Sequence, residues 1–332
     1  MIHVDLPLID LHRHLDGNVR LETILELGQQ HDLPLPADTL EGLRPYIQVT
    51  EPMSNIMAYF KKFECMVSIF ADYDACRRVA YENVLDAEAE GIDYIELRFS
   101  PVFMAEPHGL NPQGVVGAVV AGVQDGLHKC QSVRANLLGI ISRTYGVAVG
   151  CQELDALLAY QDEIVGLDLA GDEANFPAEW FNDHFKKARD AGWGITVHAG
   201  ESAGPESVWH AIQDLGATRI GHAVRIMEDP DLVDFMREQR IGIETSLTSN
   251  VHTNTVPSYA EHPLKTFLDL GLLATINTDD PGISPVTLKD EYRFAVEKAG
   301  LTAEDIRKAQ ENALAIAFLS EQEKQDLRSL KN

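Results

Sequence analysis

A regular alternation constrains the fold more than any other feature. Eight short apolar or β-branched runs recur along the chain, at 8–15, 91–100, 134–142, 163–171, 194–200, 219–224, 241–249 and 273–280. Amphipathic stretches with helical spacing lie between them, among them 74–90, 178–192, 205–216 and 229–240. Apolar strands separated by helices belong to a parallel sheet covered on both faces. Eight such units in 332 residues fit an α/β fold of the closed (β/α)8 TIM-barrel type better than an open doubly wound sheet, with 1–332 read as one domain. The first interval breaks the period. Residues 18–72 are far longer than one crossover and carry several helical patterns. They read as a helical insertion after strand one, on the face where a barrel places its active site. Residues 286–330 read as extra C-terminal helices.

Charge and cysteine usage narrow the functions. The chain carries 27 basic and 52 acidic side chains, a net charge of −25. Such a surface repels phosphate backbones and anionic lipid, so neither nucleic acid nor a membrane is expected as a partner. No apolar run has the length of a membrane span, and the N-terminus shows no basic segment followed by an apolar one. Cys65, Cys76, Cys130 and Cys151 are scattered without C-x-x-C or zinc-finger spacing, as expected of free thiols in the cytoplasm. No motif specifies an oligomeric state.

Polar, metal-competent residues concentrate where the strands finish. Strand one ends in His12, His14 and Asp16, strand five in His198 followed by Glu201, strand six in His222, and strand eight in Asp279 and Asp280. Side chains at i and i+2 of a strand share a face, about 6.6 Å apart at Cα, so His12 and His14 project together into the barrel mouth. Taken singly these signals are weak: H-x-H is short and common, a core histidine is ordinarily structural, and D-D-P-G is ordinarily a turn. Their convergence is stronger, because strand eight closes against strand one. Three imidazoles and a carboxylate with no thiolate suit one Zn2+ with a position left for water. Such an ion lowers the pKa of its water from 15.7 to about 7, worth about 12 kcal/mol in generating the nucleophile. A hydrolase of this kind also needs a group to hold the water and a proton donor, for which His222 and Glu201 stand nearby.

These residues carry a family resemblance. The stretches HRHLDGN (12–18), YIELRFSP (94–101), GLDLAGDE (166–173), TVHAGE (196–201), RIGHAV (219–224), SLTSN (246–250) and NTDDPG (277–282) resemble, in this order, the bacterial-type adenosine deaminases, mononuclear zinc enzymes of the amidohydrolase superfamily. The resemblance covers nearly the whole chain. It implies hydrolytic deamination of adenosine, and of 2′-deoxyadenosine, by attack of a zinc-activated water at purine C6, a reaction of purine salvage. It implies one Zn2+ per chain, held by His12, His14, His198 and Asp279. Glu201 would give a proton to purine N1, and His222 would orient and deprotonate the water, with Asp279 also touching it. Asp280 would bond the N7 side, the Gly171 backbone would contact N3, and Asp16 with His14 would lie near the ribose. The lack of a lysine at the end of strand four agrees with a single metal. Tyr59, Phe60 and Phe63 in the insertion read either as helix packing or as an apolar lid. The sequence departs from the family at Ala223, where glycine is usual, in the run ETSLTSN, and around Cys65 and Met66.

Two other readings compete. GESAG (200–204) matches a G-x-S-x-G nucleophile elbow and follows a strand. A serine hydrolase would then use Ser202 with Asp229 and His252 or His262, on an open sheet, leaving the four ligand-type residues unexplained. A different 6-aminopurine substrate is the other reading. Adenine deaminases of the superfamily resemble H-x-H-L-E-G, and the aspartate at position 16 favours a ribosylated substrate.

Overall fold

The computed structural model describes residues 2–331. Eight strands form one sheet: β1 (Ile9–His14), β2 (Tyr94–Phe99), β3 (Arg134–Ser142), β4 (Ile164–Ala170), β5 (Gly194–Ala199), β6 (Arg219–His222), β7 (Gly242–Thr245) and β8 (Leu273–Ile276). They pair in chain order, each parallel to the next. The ring closes just beyond β8. His14 N–H donates to Asp279 O at 2.8 Å, Asp279 N–H donates to His12 O at 2.7 Å, and Leu11 N–H donates to Asn277 Oδ1 at 2.9 Å. Closure therefore places Asp279 beside both histidines of β1, in the (β/α)8 barrel expected from the alternation.

All strands but β3 end earlier than their apolar runs. β6 stops at His222 because His222 and Ala223 turn to φ 66° and 54°, a left-handed conformation that non-glycine residues rarely hold. The run 241–249 divides: only Gly242–Thr245 is strand, and Leu247–His252 forms a buried helix. A short buried helical turn has the same apolar pattern as a buried strand, so the sequence does not separate them.

The barrel interior is charged as well as apolar. Glu96, Arg98, Asp168 and Glu244 are 0 % exposed. Arg98 donates to Asp168 at 2.8 Å, to Glu244 at 2.7 Å and to the Leu11 carbonyl at 2.6 Å. Arg219 pairs with Glu96 at 2.5 Å and with Glu244 at 2.6 Å. Buried ions persist only when paired in this way.

The insertion contains four helices, α1 (Leu21–Gln30), α2 (Leu40–Ile47), α3 (Ile56–Phe60) and α4 (Phe63–Val67), before the crossover helix α5 (Tyr73–Glu90). Backbone bonds from Val49 to Ile283 and from Met53 to His252, both 2.8 Å, seat it over the loops after β8 and β7. The C-terminal segment is helical at Leu288–Glu297, Ala303–Ile316 and Glu321–Ser329. All four cysteines are unpaired, and no helix among the described residues is long and apolar enough to cross a membrane.

Candidate active site

The ends of β1, β5 and β8 bring four donors together. Atoms of His12, His14, His198 and Asp279 all lie within 4.8 Å of one another. The Nε2 atoms of His12 and His14 stand 3.1 and 3.2 Å from His198 Nε2, and each stands 3.3 Å from Asp279 Oδ1. Donors about 2.0–2.1 Å from one tetrahedral ion are separated by roughly 3.3 Å, so the cluster has the spacing of a coordination shell. Charge agrees. Burial opposes protonation of His14, yet Asp280, Asp16 and Asp279 raise it to about 9, so the acids around it favour a positive charge there, and a metal ion would have to displace that proton. Burial holds His198 down to about 3, neutral as a ligand must be.

Carboxylates fix the far side of two imidazoles. His12 Nδ1 meets Glu244 Oε2 at 2.7 Å, and His198 Nδ1 meets Asp168 at 3.0 Å. These contacts place the N–H on Nδ1 and turn the Nε2 lone pairs toward the common centre. Burial raises the cost of ionising both acids, but His198 and Arg98 beside Asp168, and Arg98 and Arg219 beside Glu244, hold both below the usual carboxylate range.

Glu201 and His222 face the same centre. His222 Nε2 lies 3.7 Å from Glu201 Oε2 and 3.9 Å from Asp279 Oδ2. A hydrogen-bond chain orients both. Leu264 N–H donates to His262 Nδ1 at 3.2 Å, and His262 Nε2–H donates to Asn250 Oδ1 at 3.2 Å. The Asn250 amide nitrogen then donates to Glu201 Oε1 at 3.2 Å and to His222 Nδ1 at 3.1 Å. Neutral His222 thus carries its proton on Nε2. Burial pushes the Glu201 carboxyl up to about 7, against the opposing pull of His222.

Two connected cavities lie above. The inner one, about 60 Å3, is bounded by His198, Glu201, His222, Asp279 and Asp280. The outer one, about 280 Å3, is bounded by Asp16, Ser100, Phe103, Ser142 and Tyr145. His14, Phe60, Phe63, Ala170 and Gly171 line both. Gly171 has φ 108°, and a Cβ there would fall 2.5 Å from Thr144 Oγ1, so only glycine fits this stretch of the wall. Asp280 Oδ1 is buried without a partner and lies against Gly17, where a Cβ would come within 2.0 Å of it. Burial and the neighbouring Asp279 raise the Asp280 carboxyl well above its ordinary value. Tyr59 is only 1 % exposed; its hydroxyl meets Ser284 Oγ at 3.1 Å and Asp280 Oδ2 at 3.5 Å. Phe63 packs edge-on against Tyr59, Phe60 and Phe103.

The serine-hydrolase reading does not survive this geometry. Ser202 Oγ faces Glu173 at 3.4 Å, and among the described residues no imidazole is hydrogen-bonded to it. His252 bonds Ser284, His262 bonds Asn250, and Asp229 caps the helix Pro230–Glu238. The sheet is a closed ring. The GESAG turn is shaped instead by Glu173, which accepts backbone N–H bonds from Gly200, Glu201, Ser202 and Ala203.

Comparison with known proteins agrees with the site. The adenosine deaminase family profile matches residues 7–331. The chain belongs to the adenosine deaminase family. It is 55% identical over 327 residues to the adenosine deaminase of Pseudoalteromonas translucida, covering 98% of each chain. The adenine deaminase of Arthrobacter aurescens shares the fold, with TM-score 0.91, 23% identity and 98% of each chain covered. An amidohydrolase from Burkholderia ambifaria, solved with bound Zn, aligns with TM-score 0.86 and 25% identity over 99% of this chain and 90% of its own.

Within this adenosine deaminase family member, sequence reasoning found the converging residues and missed their supports. Asp168 and Glu244 sit mid-strand among apolar neighbours, and the available signal was a carboxylate facing inward in a stave next to one that ends in histidine. Asn250 lies in the short helix Leu247–His252 and Glu173 in the loop after β4; both fall inside the quoted motifs, but their partners are set only by the fold. Arg143, fully buried, donates to the carbonyls of His198 at 2.8 Å and Leu169 at 3.2 Å, fixing the end of β5 against β4.

Proposed function

We propose that this protein hydrolyses adenosine, and 2′-deoxyadenosine, to inosine or 2′-deoxyinosine and ammonia, in purine salvage. One observation carries the reading: a cluster of four metal donors, three of which line the inner cavity, stands together with a buried carboxyl raised to about 7 and an oriented imidazole on the same cavity. His12, His14, His198 and Asp279 would hold one Zn2+ per chain. Their nitrogen and oxygen donors and spacing suit that ion, and the zinc-bearing neighbour and the absence of a lysine beside Ala170 support it. When bound, such an ion supplies a nucleophile at neutral pH by lowering the pKa of a water from 15.7 to about 7.

The residues divide the remaining work. His222 Nε2–H orients the attacking water, and Asp279 Oδ2, 3.9 Å from it, accepts the water's proton. The hydrogen-bond chain through Asn250 supports Asp279, rather than His222, as that acceptor. Protonated Glu201 donates to N1 and makes C6 electrophilic. Protonated Asp280 donates to N7, and the Gly171 backbone meets N3. N1 keeps the Glu201 proton, the proton taken from water leaves with the amine as ammonia, and the C6 hydroxyl proton restores Glu201. Asp16 and His14 meet the sugar. Phe60 and Phe63, with Tyr59 behind them, cover the base and exclude water.

The outer cavity of about 280 Å3 favours a nucleoside over free adenine, which would leave it unfilled. The free thiols and the charge of −25 support a cytoplasmic, single-barrel enzyme acting on a small molecule, without nucleic-acid or membrane partners. Metal analysis paired with an ultraviolet assay across 6-aminopurines tests the reading. The expected result is one zinc per chain, turnover of adenosine and 2′-deoxyadenosine with ammonia release, loss of activity on chelation and recovery with Zn2+. Faster turnover of adenine, or activity that survives chelation, would overturn it.

A further inference from the structure

A buried acid that the reaction does not use stands behind the outer cavity. Glu153, on the helix Val147–Leu158, is 0 % exposed and does not itself line the cavity. Its Oε1 accepts from Ser100 Oγ at 2.5 Å, and its Oε2 accepts from Ser142 N–H at 2.8 Å. Ser100 directly follows β2 and Ser142 ends β3, so one carboxyl ties the ends of adjacent staves. Ser100 Oγ also accepts from Phe103 N–H at 3.1 Å, which leaves its hydroxyl committed to the wall. The Ser100 N–H points the other way and donates to Asp16 Oδ2 at 3.0 Å. A continuous chain thus runs from Glu153 through Ser100 to Asp16, and Asp16, Ser100 and Ser142 all line the outer cavity.

We infer that Glu153 is a positioning residue for the sugar half of the substrate, setting the Ser100–Ser142 wall and, through Ser100, aiming the Asp16 carboxylate. The inference rests on the nucleoside deaminase reading above. His12, His198, Glu201 and His222 lie on other staves and are held by Glu244, Asp168 and Asn250; of the metal donors, His14 alone neighbours the chain, its Nδ1 lying 3.8 Å from Asp16 Oδ1, so zinc content is read alongside KM. Loss of Glu153 should therefore weaken binding and spare the chemical step. Hydrogen bonds to a charged group are worth about 1.5–3 kcal/mol, so misaiming Asp16 is expected to cost on the order of tenfold in KM.

The test is a double-mutant cycle on zinc-loaded protein, with kcat, KM, zinc content and melting temperature measured for each variant. Glu153→Ala is expected to raise KM for adenosine about tenfold, with kcat within about threefold and zinc content unchanged. Glu153→Gln keeps the shape and the Ser142 contact, and should recover most of the loss. In an Asp16→Ala background, Glu153→Ala should add less than about twofold, since the chain then has nothing to aim. An unchanged KM, or the same KM increase in both backgrounds, would overturn the inference. Should Glu153→Ala fail to fold, Glu153→Asp decides, since its carboxyl falls one methylene short of Ser100 and Ser142: a KM rise seen only when Asp16 is present supports the inference, and no rise, or a rise independent of Asp16, overturns it. Wild-type protein that leaves adenosine untouched would instead strike down the functional reading on which the inference stands.

Discussion

Buried carboxyls fall into two groups within the same molecule. In the barrel interior, Asp168 and Glu244 are paired with Arg98 and are held ionised despite complete burial. At the mouth and in the helical shell, Glu201, Glu153 and Glu291 have no guanidinium beside them, and burial pushes them up to about 7, 8 and 8. Burial is common to both groups, and two guanidinium or imidazolium neighbours tip the balance where one does not: Asp10, buried beside Arg13 alone at 3.1 Å, is still raised. The ionised acids can only accept hydrogen bonds, and they aim the imidazoles of His12 and His198. The neutral ones can give a proton, which is the property the proposed reaction would ask of Glu201.

Four substitutions test that division, beginning with the largest effect. Glu201→Gln keeps the shape but cannot deliver a proton to N1, so kcat should fall about 10³-fold with zinc content unchanged in steady-state assays. Arg98→Met leaves Asp168 and Glu244 buried without their shared cation. It should cost about 3–5 kcal/mol in urea unfolding; a change of less than about 1 kcal/mol would break the comparison. Glu244→Gln weakens the grip on His12 Nδ1 and should lower zinc affinity by about 10–100-fold in chelator-buffered titrations.

The smallest effect is a pH dependence. Burial raises Glu291 from 4.5 to about 8. The stability contributed by its protonated form is fully present below 4.5 and is lost as pH rises through about 8. Glu291→Gln does not titrate. Its melting temperature relative to wild type should therefore be several degrees more favourable at pH 9 than at pH 5, as scanning calorimetry would read. A pH-independent difference would place Glu291 with the ionised group.

Legibility in the sequence follows the same division. His12, His14, His198 and Asp279 were readable because strand period and barrel closure are both local rules: alternate residues share a face, and the last stave lies beside the first. The insertion was readable from the length of its interval. The interior charges were not, because an inward-facing acid in an apolar run has no partner until the staves are set side by side. Arg98 meets Glu244 across 146 positions of chain, and no periodicity encodes that distance. The Asn250 relay was hidden further, since its helix reads as a continuation of β7. The left-handed turns at His222 and Asp279 likewise depend on tertiary contacts that hold non-glycine residues in that region.

The closing contact between the first and last staves has a consequence for biosynthesis. His12 and His14 leave the ribosome well before Asp279, which completes their ring through paired backbone bonds and follows His14 by 265 positions. The nascent chain therefore has no complete cradle for a cation until Asp279 has been made, and full capture of an ion would follow that step.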